Sequence, residues 1–144
     1  MAISTRATTV VSVYLLLRKE NQILFGLRQN TGYCDGQYGL VSGHVEPDEP
    51  ATDAMVREAQ EEVGITPFGL RVAHVMHRKS NRFGIDIFFE CDGYEGTPTN
   101  KEPDKCTGLE FFPIDNIPSN TMDYVAKVLK AIHQGHTYSE EGWI

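Results

Sequence analysis

Glu58, Glu61 and Glu62 crowd into little more than one helical turn of the stretch 43–65, GHVEPDEPATDAMVREAQEEVGI. At about 100° per residue, Glu62 falls at about +40° and Glu61 at about −60° from Glu58, so all three share a face. Arg57 falls at about −100°, one turn from Glu61, where it can pair with that carboxylate and orient it. Met55, Val56, Ala59 and Val63 form a separate apolar stripe, suited to packing on a sheet. Clustered carboxylates repel and weaken an isolated helix, and a hard divalent cation removes that penalty. Oxygen-only sites of this kind suit magnesium, and magnesium beside a glycine-bearing entry loop points to chemistry on phosphate esters. A merely solvated acidic helix would account for the three glutamates alone. It does not account for Gly43, Glu49 and the Arg57-Glu58 pair standing at fixed offsets before them.

The elements that must position these residues are readable from patterning. Residues 8–18 (TTVVSVYLLLR) are β-rich, 19–21 read as a turn, and 22–28 (QILFGLR) as the returning strand of a hairpin. A polar loop covers 29–37, and a short strand, 38–42, leads into Gly43. Pro50 suits the first turn of a helix over 50–63, and Gly64 suits its end. Residues 68–79 and 83–91 read as two strands around the turn Ser80-Asn81-Arg82, 92–105 as a loop, and 106–114 as a last strand. Met122, Val125, Val128, Leu129 and Ile132 have the spacing of an amphipathic helix over 120–133. The tail 135–144 carries no clear pattern, and its Trp143 is expected to pack on the surface or on a neighbouring chain. Strands and helices in this order predict an α/β sandwich, a mixed sheet between helices, as a single domain over 1–144.

Composition bounds the function. The net charge of −7 disfavours duplex nucleic acid and anionic membranes, which select basic surfaces. It leaves small phosphorylated substrates open. The apolar run near the start is too short and too β-branched for a signal segment or a membrane span. Cys34, Cys91 and Cys106 lack metal-site spacing and read as reduced thiols of a cytoplasmic protein. His74 and His77 fall on opposite faces of one strand and are poor candidates for a shared metal site.

The stretch 43–65 resembles the Nudix box, G-x5-E-x7-R-E-U-x-E-E-x-G-U, at every specified position, with Ala59 the only soft fit at a bulky aliphatic site. The whole chain resembles a compact, MutT-type Nudix hydrolase. The resemblance implies hydrolysis of nucleoside diphosphates linked to another group, with magnesium or manganese. It implies metal ligation by Glu58, Glu62 and the Gly43 carbonyl, with Glu61 completing the cluster or contacting the metal through water. It implies positioning of a glutamate by Arg57 and a structural role for Glu49. Glu58 is the expected general base and Glu102, in the 92–105 loop, its rival; Glu102 is also a candidate ligand. Arg28 and His44 are candidate substrate contacts. Asn120 could read a purine edge or simply cap a helix, and Tyr33 and Tyr38 could stack on a base or pack. Ser42 and Asp48 stand where many relatives have glycine.

The expected substrate is a small nucleotide, first a nucleoside triphosphate, with oxidised purines such as 8-oxo-dGTP within that class. ADP-ribose or a nucleotide sugar is the alternative, and a catalytically idle nucleotide-binding module ranks last because no box carboxylate is missing. The chain is expected to act as a monomer or homodimer.

Overall fold

The first strand sets the architecture. The computed structural model describes residues 5–80 and 83–143. In β1 (Val10–Leu15), Val13 and Leu15 point one way and Tyr14 the other, as a period-2 backbone requires, and all three are buried. Val13 and Leu15 pack with Ala54, Met55, Ala59 and Val63 of helix α1 (Ala51–Val63). Tyr14 and the following Leu16 pack with Val125, Val128 and Leu129 of helix α2 (Asp123–His133). A strand apolar on both faces belongs in the middle of a layered domain. The helices therefore cover opposite faces, and the α/β sandwich is the observed fold.

The strands divide between two main sheets. β1 sits in a five-stranded sheet ordered β11-β7-β8-β1-β5, with β5 (Val41–His44), β7 (Arg71–Lys79), β8 (Phe83–Glu90) and β11 (Tyr138–Glu141). Its β1–β8 and β7–β11 pairs are parallel and the others antiparallel. The second sheet holds β10 (Cys106–Pro113), β3 (Gln22–Arg28) and β2 (Arg18–Lys19), with β4 (Tyr38–Gly39) also on β3. β6 (Thr66–Phe68) pairs with β9 (Gly93–Glu95) alone.

Several boundaries differ from the expectation. The 8–18/22–28 hairpin survives only at its tip, where Arg18 faces Ile23 and Lys19 faces Gln22. The body of β1 pairs with β8 and β5 instead. Leu15, Leu16 and Leu17 are all buried because the chain leaves one sheet there and enters the other. Leu40 marks a second crossing and splits the 38–42 strand into β4 and β5, so Gly43 lies inside a strand, not in a loop. Gly69, at φ +66, separates β6 from β7 within 68–79. The 92–105 loop contains β9, and the tail forms β11. α2 begins at Asp123, after a turn closed by the Thr121 N–H on the Pro118 carbonyl. Met122 occupies the N-cap position, so Asn120 is not a helix cap. α1 starts at Ala51 with Pro50 as its N-cap, and Gly64 ends it in the left-handed region at φ 69.

Candidate active site

A cleft of about 860 Å³ opens between the two main sheets and is closed on one side by α1. Arg57 fixes that side. Its Nε and Nη2 donate to the two carboxylate oxygens of Glu49, each at 2.9 Å, and Nη2 also donates to the His44 carbonyl at 3.1 Å. Nη1 donates to Glu58 at 2.9 Å. One guanidinium thereby ties the helix, the loop before it and β5 together. The hydrogen bonds from Arg57 hold the Glu49 carboxyl down to about 2. Glu61 lies farther from Arg57, at 3.5 Å, and its side chain is 56% exposed. The dominant partner of Arg57 is thus Glu49 rather than Glu61.

Glu58 and Glu62 turn inward. Glu58 lies against Gly43, opposite Val13 in β5, and a β-carbon at Gly43 would overlap the Glu58 carboxyl. Glycine is needed there for room. Burial raises the Glu58 pKa, and the Arg57 bond opposes the rise. Glu62 accepts the Ser42 N–H at 3.3 Å. Burial, then the charge of Glu58, push its carboxyl well above the usual range. Two inward carboxylates raised in this way form a site short of positive charge, and their hard oxygens fit a divalent cation. Among the described residues, no three His, Cys, Asp or Glu side chains stand close enough to hold an ion by themselves. Backbone oxygen and water would have to share in any coordination.

The loop carrying Glu102 is pinned to this helix. The Thr99 N–H donates to the Val63 carbonyl and the Lys101 N–H to the Glu62 carbonyl, at 2.9 and 3.0 Å. Asn100 accepts the Glu102 N–H and donates to the Cys106 carbonyl. Glu102 consequently lines the cleft, close enough for its charge to be felt by both Glu58 and Glu62. Arg28 lies across the cleft, its guanidinium held by the Tyr33 carbonyl and the Thr31 hydroxyl, and its charge offsets a small part of the rise at Glu62. His44 also lines the cleft. Asn120 does not; its amide donates to the Gly36 carbonyl at 3.0 Å. Tyr38 packs edge-on against Phe112, while Tyr33 lies at the cleft.

Sequence reading missed a second polar cluster. Arg78 donates through Nε and Nη2 to Asp86, at 2.6 and 3.4 Å, and the Tyr14 hydroxyl donates to the same carboxylate. Asp86 is fully buried. The one available signal was an aspartate in the middle of the apolar strand FGIDIFFE. The three cysteines are free thiols, and no helix among the described residues is long and apolar enough to cross a membrane.

Residues 7–132 match the NUDIX domain family. An ADP-ribose pyrophosphatase of Methanocaldococcus jannaschii is 32% identical over 123 residues, 83% of this chain and 70% of that protein. An 8-oxo-dGTP diphosphatase of Escherichia coli K12 is 26% identical over 121 residues, 82% of this chain and 94% of that protein. A MutT NUDIX hydrolase from Burkholderia pseudomallei shares the fold with a TM-score of 0.79 at 23% identity, over 85% of this chain and 97% of that one. The chain belongs to the Nudix hydrolase family and is a Nudix pyrophosphohydrolase.

Proposed function

We propose that the chain is a divalent-metal-dependent nucleoside triphosphate pyrophosphohydrolase. The observation that carries this reading is the inward pair Glu58 and Glu62, short of positive charge, with Glu102 beside it and Arg28 opposite. Glu58, Glu62, Glu102 and the Gly43 carbonyl would hold magnesium or manganese, with Glu61 reaching it through water. Bound there, such an ion would neutralise phosphoryl oxygens and acidify a water. The protein's own groups supply the remainder. Arg28 and His44 hold phosphate oxygens in the cleft, and Arg57 keeps Glu58 aimed inward. Glu58 accepts the proton of the attacking water, and its raised pKa brings it closer to the working pH of a general base. Glu102 is the alternative acceptor.

An oxidised purine triphosphate such as 8-oxo-dGTP suits this reading, and the E. coli relative is named for that substrate. A second reading, ADP-ribose or a nucleotide sugar, is favoured by the 32% identical relative, an ADP-ribose pyrophosphatase. A magnesium-supplemented screen of nucleotide substrates, with products separated by ion exchange and the attacked phosphorus located with labelled water, tests both. Pyrophosphate released from a triphosphate supports the first. Two monophosphates from ADP-ribose, with triphosphates left intact, replace it with the second.

A further inference from the structure

The Arg78 cluster lies in the same cleft as the acidic helix but is built on different elements. Its guanidinium is held on three sides. Asp86 takes Nε and Nη2, the Tyr124 ring lies 3.9 Å beneath it, and Nη1 donates to the Tyr33 hydroxyl at 3.3 Å. The Tyr14 hydroxyl bonds both Asp86 and the Tyr124 hydroxyl, which fixes the carboxylate in turn. Among the described residues, Nη1 and Nη2 each keep one N–H without a protein acceptor. The Arg78 side chain remains 15% exposed and faces the cleft.

A buried ion pair is a poor device for holding β7 to β8, since a hydrophobic pair packs as well without the desolvation cost. What the pair provides is a hydrogen-bond donor with a fixed rotamer. Its charge is already matched by Asp86, so it gains little from a phosphate. It gains a full hydrogen bond from a neutral acceptor, such as a ring carbonyl or ring nitrogen. Tyr33, an exposed residue, stands beside it and offers a flat ring for stacking, with the Arg28 guanidinium 5.7 Å from the ring centroid. Arg28, by contrast, is the arginine whose charge is felt at Glu62. Tyr33 thus bridges the two arginines, and Asn120 lies outside this group.

We propose that Arg78 and Tyr33 determine specificity by binding the substrate's base, Arg78 donating to a neutral ring acceptor while the base lies on Tyr33. This rests on the reading of the cleft as a nucleotide site. The test uses 8-oxo-dGTP and ADP-ribose with magnesium, each paired with the same compound lacking its base. The ratio of kcat/KM between the members of each pair is measured for wild type, Arg78→Lys and Tyr33→Ala. Arg78→Lys keeps the charge but loses the paired geometry, and Tyr33→Ala alters an exposed position that the core does not need. The expected result is a wild-type preference for the base-bearing compound, reduced about tenfold or more in each variant through KM with kcat little changed. A preference unchanged in both variants, or an equal loss on both members of a pair, overturns the proposal. Wild-type protein that cleaves neither pair overturns the nucleotide reading and the proposal with it.

Discussion

Glu62 is a half-buried carboxylate placed beside a second carboxylate, and loss of water around it disfavours its ionised form. A neutral amide of the same shape removes that cost and also removes the proposed metal ligand. Glu62→Gln and Glu58→Gln are therefore expected to fold with unchanged circular dichroism and to lose at least about two orders of magnitude in kcat. In chelator-treated buffer Glu62→Gln should unfold at a temperature no lower than wild type, and added magnesium should raise the unfolding temperature of wild type but not of the variant. Near-normal turnover by both variants would remove Glu58 and Glu62 from the site. These residues were legible because they are local: one helix and the strand before it hold 43–65, and helical spacing predicts which side chains share a face. Arg78 and Asp86 were not legible. They meet only through the β7–β8 register, which places Met76 opposite Asp86 and Arg78 two pairs farther along, on the same face. Spacing along the chain does not encode that register.

At the scale of elements, the link between Glu49 and Arg57 holds the loop 45–50 against α1. Glu49 has a folded pKa of about 2 against an ordinary 4.5, so between these values the unfolded chain binds more protons than the native one. The stabilisation is complete above about pH 4.5 and is lost as pH falls toward 2. In metal-free buffer, wild type should therefore lose stability across that window more steeply than Glu49→Gln, and the two curves should converge at its acid end. Urea denaturation at stepped pH measures this, and parallel curves would show that the ion pair contributes nothing to folding. The same loop holds Asp48 at φ 65, a left-handed backbone that aspartate adopts more readily than most residues and that glycine adopts freely. Helices and strands were legible wherever apolar periodicity ran long. They were misread where the chain changes sheets at Leu16-Leu17 and Leu40, because a buried residue looks the same whichever sheet claims it.

At the scale of the molecule, the tail 135–143 shows how a segment without its own periodicity acquires structure from a distant strand. β11 pairs in parallel with β7, a connection that local patterning cannot announce. Its contacts are specific. The fully buried His74 bonds the His136 carbonyl through Nδ1 at 3.0 Å and the Ser139 hydroxyl through Nε2 at 2.7 Å. A carbonyl only accepts, so Nδ1 carries a hydrogen and, in the neutral ring, Nε2 accepts from Ser139. Trp143 stacks on Phe83 and donates to the His77 carbonyl, in keeping with the surface packing expected of it, and Lys127 joins α2 to Glu141. Removing everything after Gln134 deletes these bonds and uncovers the β7 edge. Three side-chain hydrogen bonds and one aromatic contact amount to about 3–5 kcal/mol even before the β7–β11 ladder is counted, a fall in unfolding temperature of roughly 10–15 °C for a chain of this size. Among the described residues, none beyond Val125 lines the cleft. Well below the unfolding temperature, kcat should therefore match the full chain. Differential scanning calorimetry and steady-state kinetics on the same preparation separate the two effects. A truncated chain of undiminished stability would mean that β11 only rests on the sheet, whereas loss of kcat without loss of stability would place the tail in the catalytic machinery.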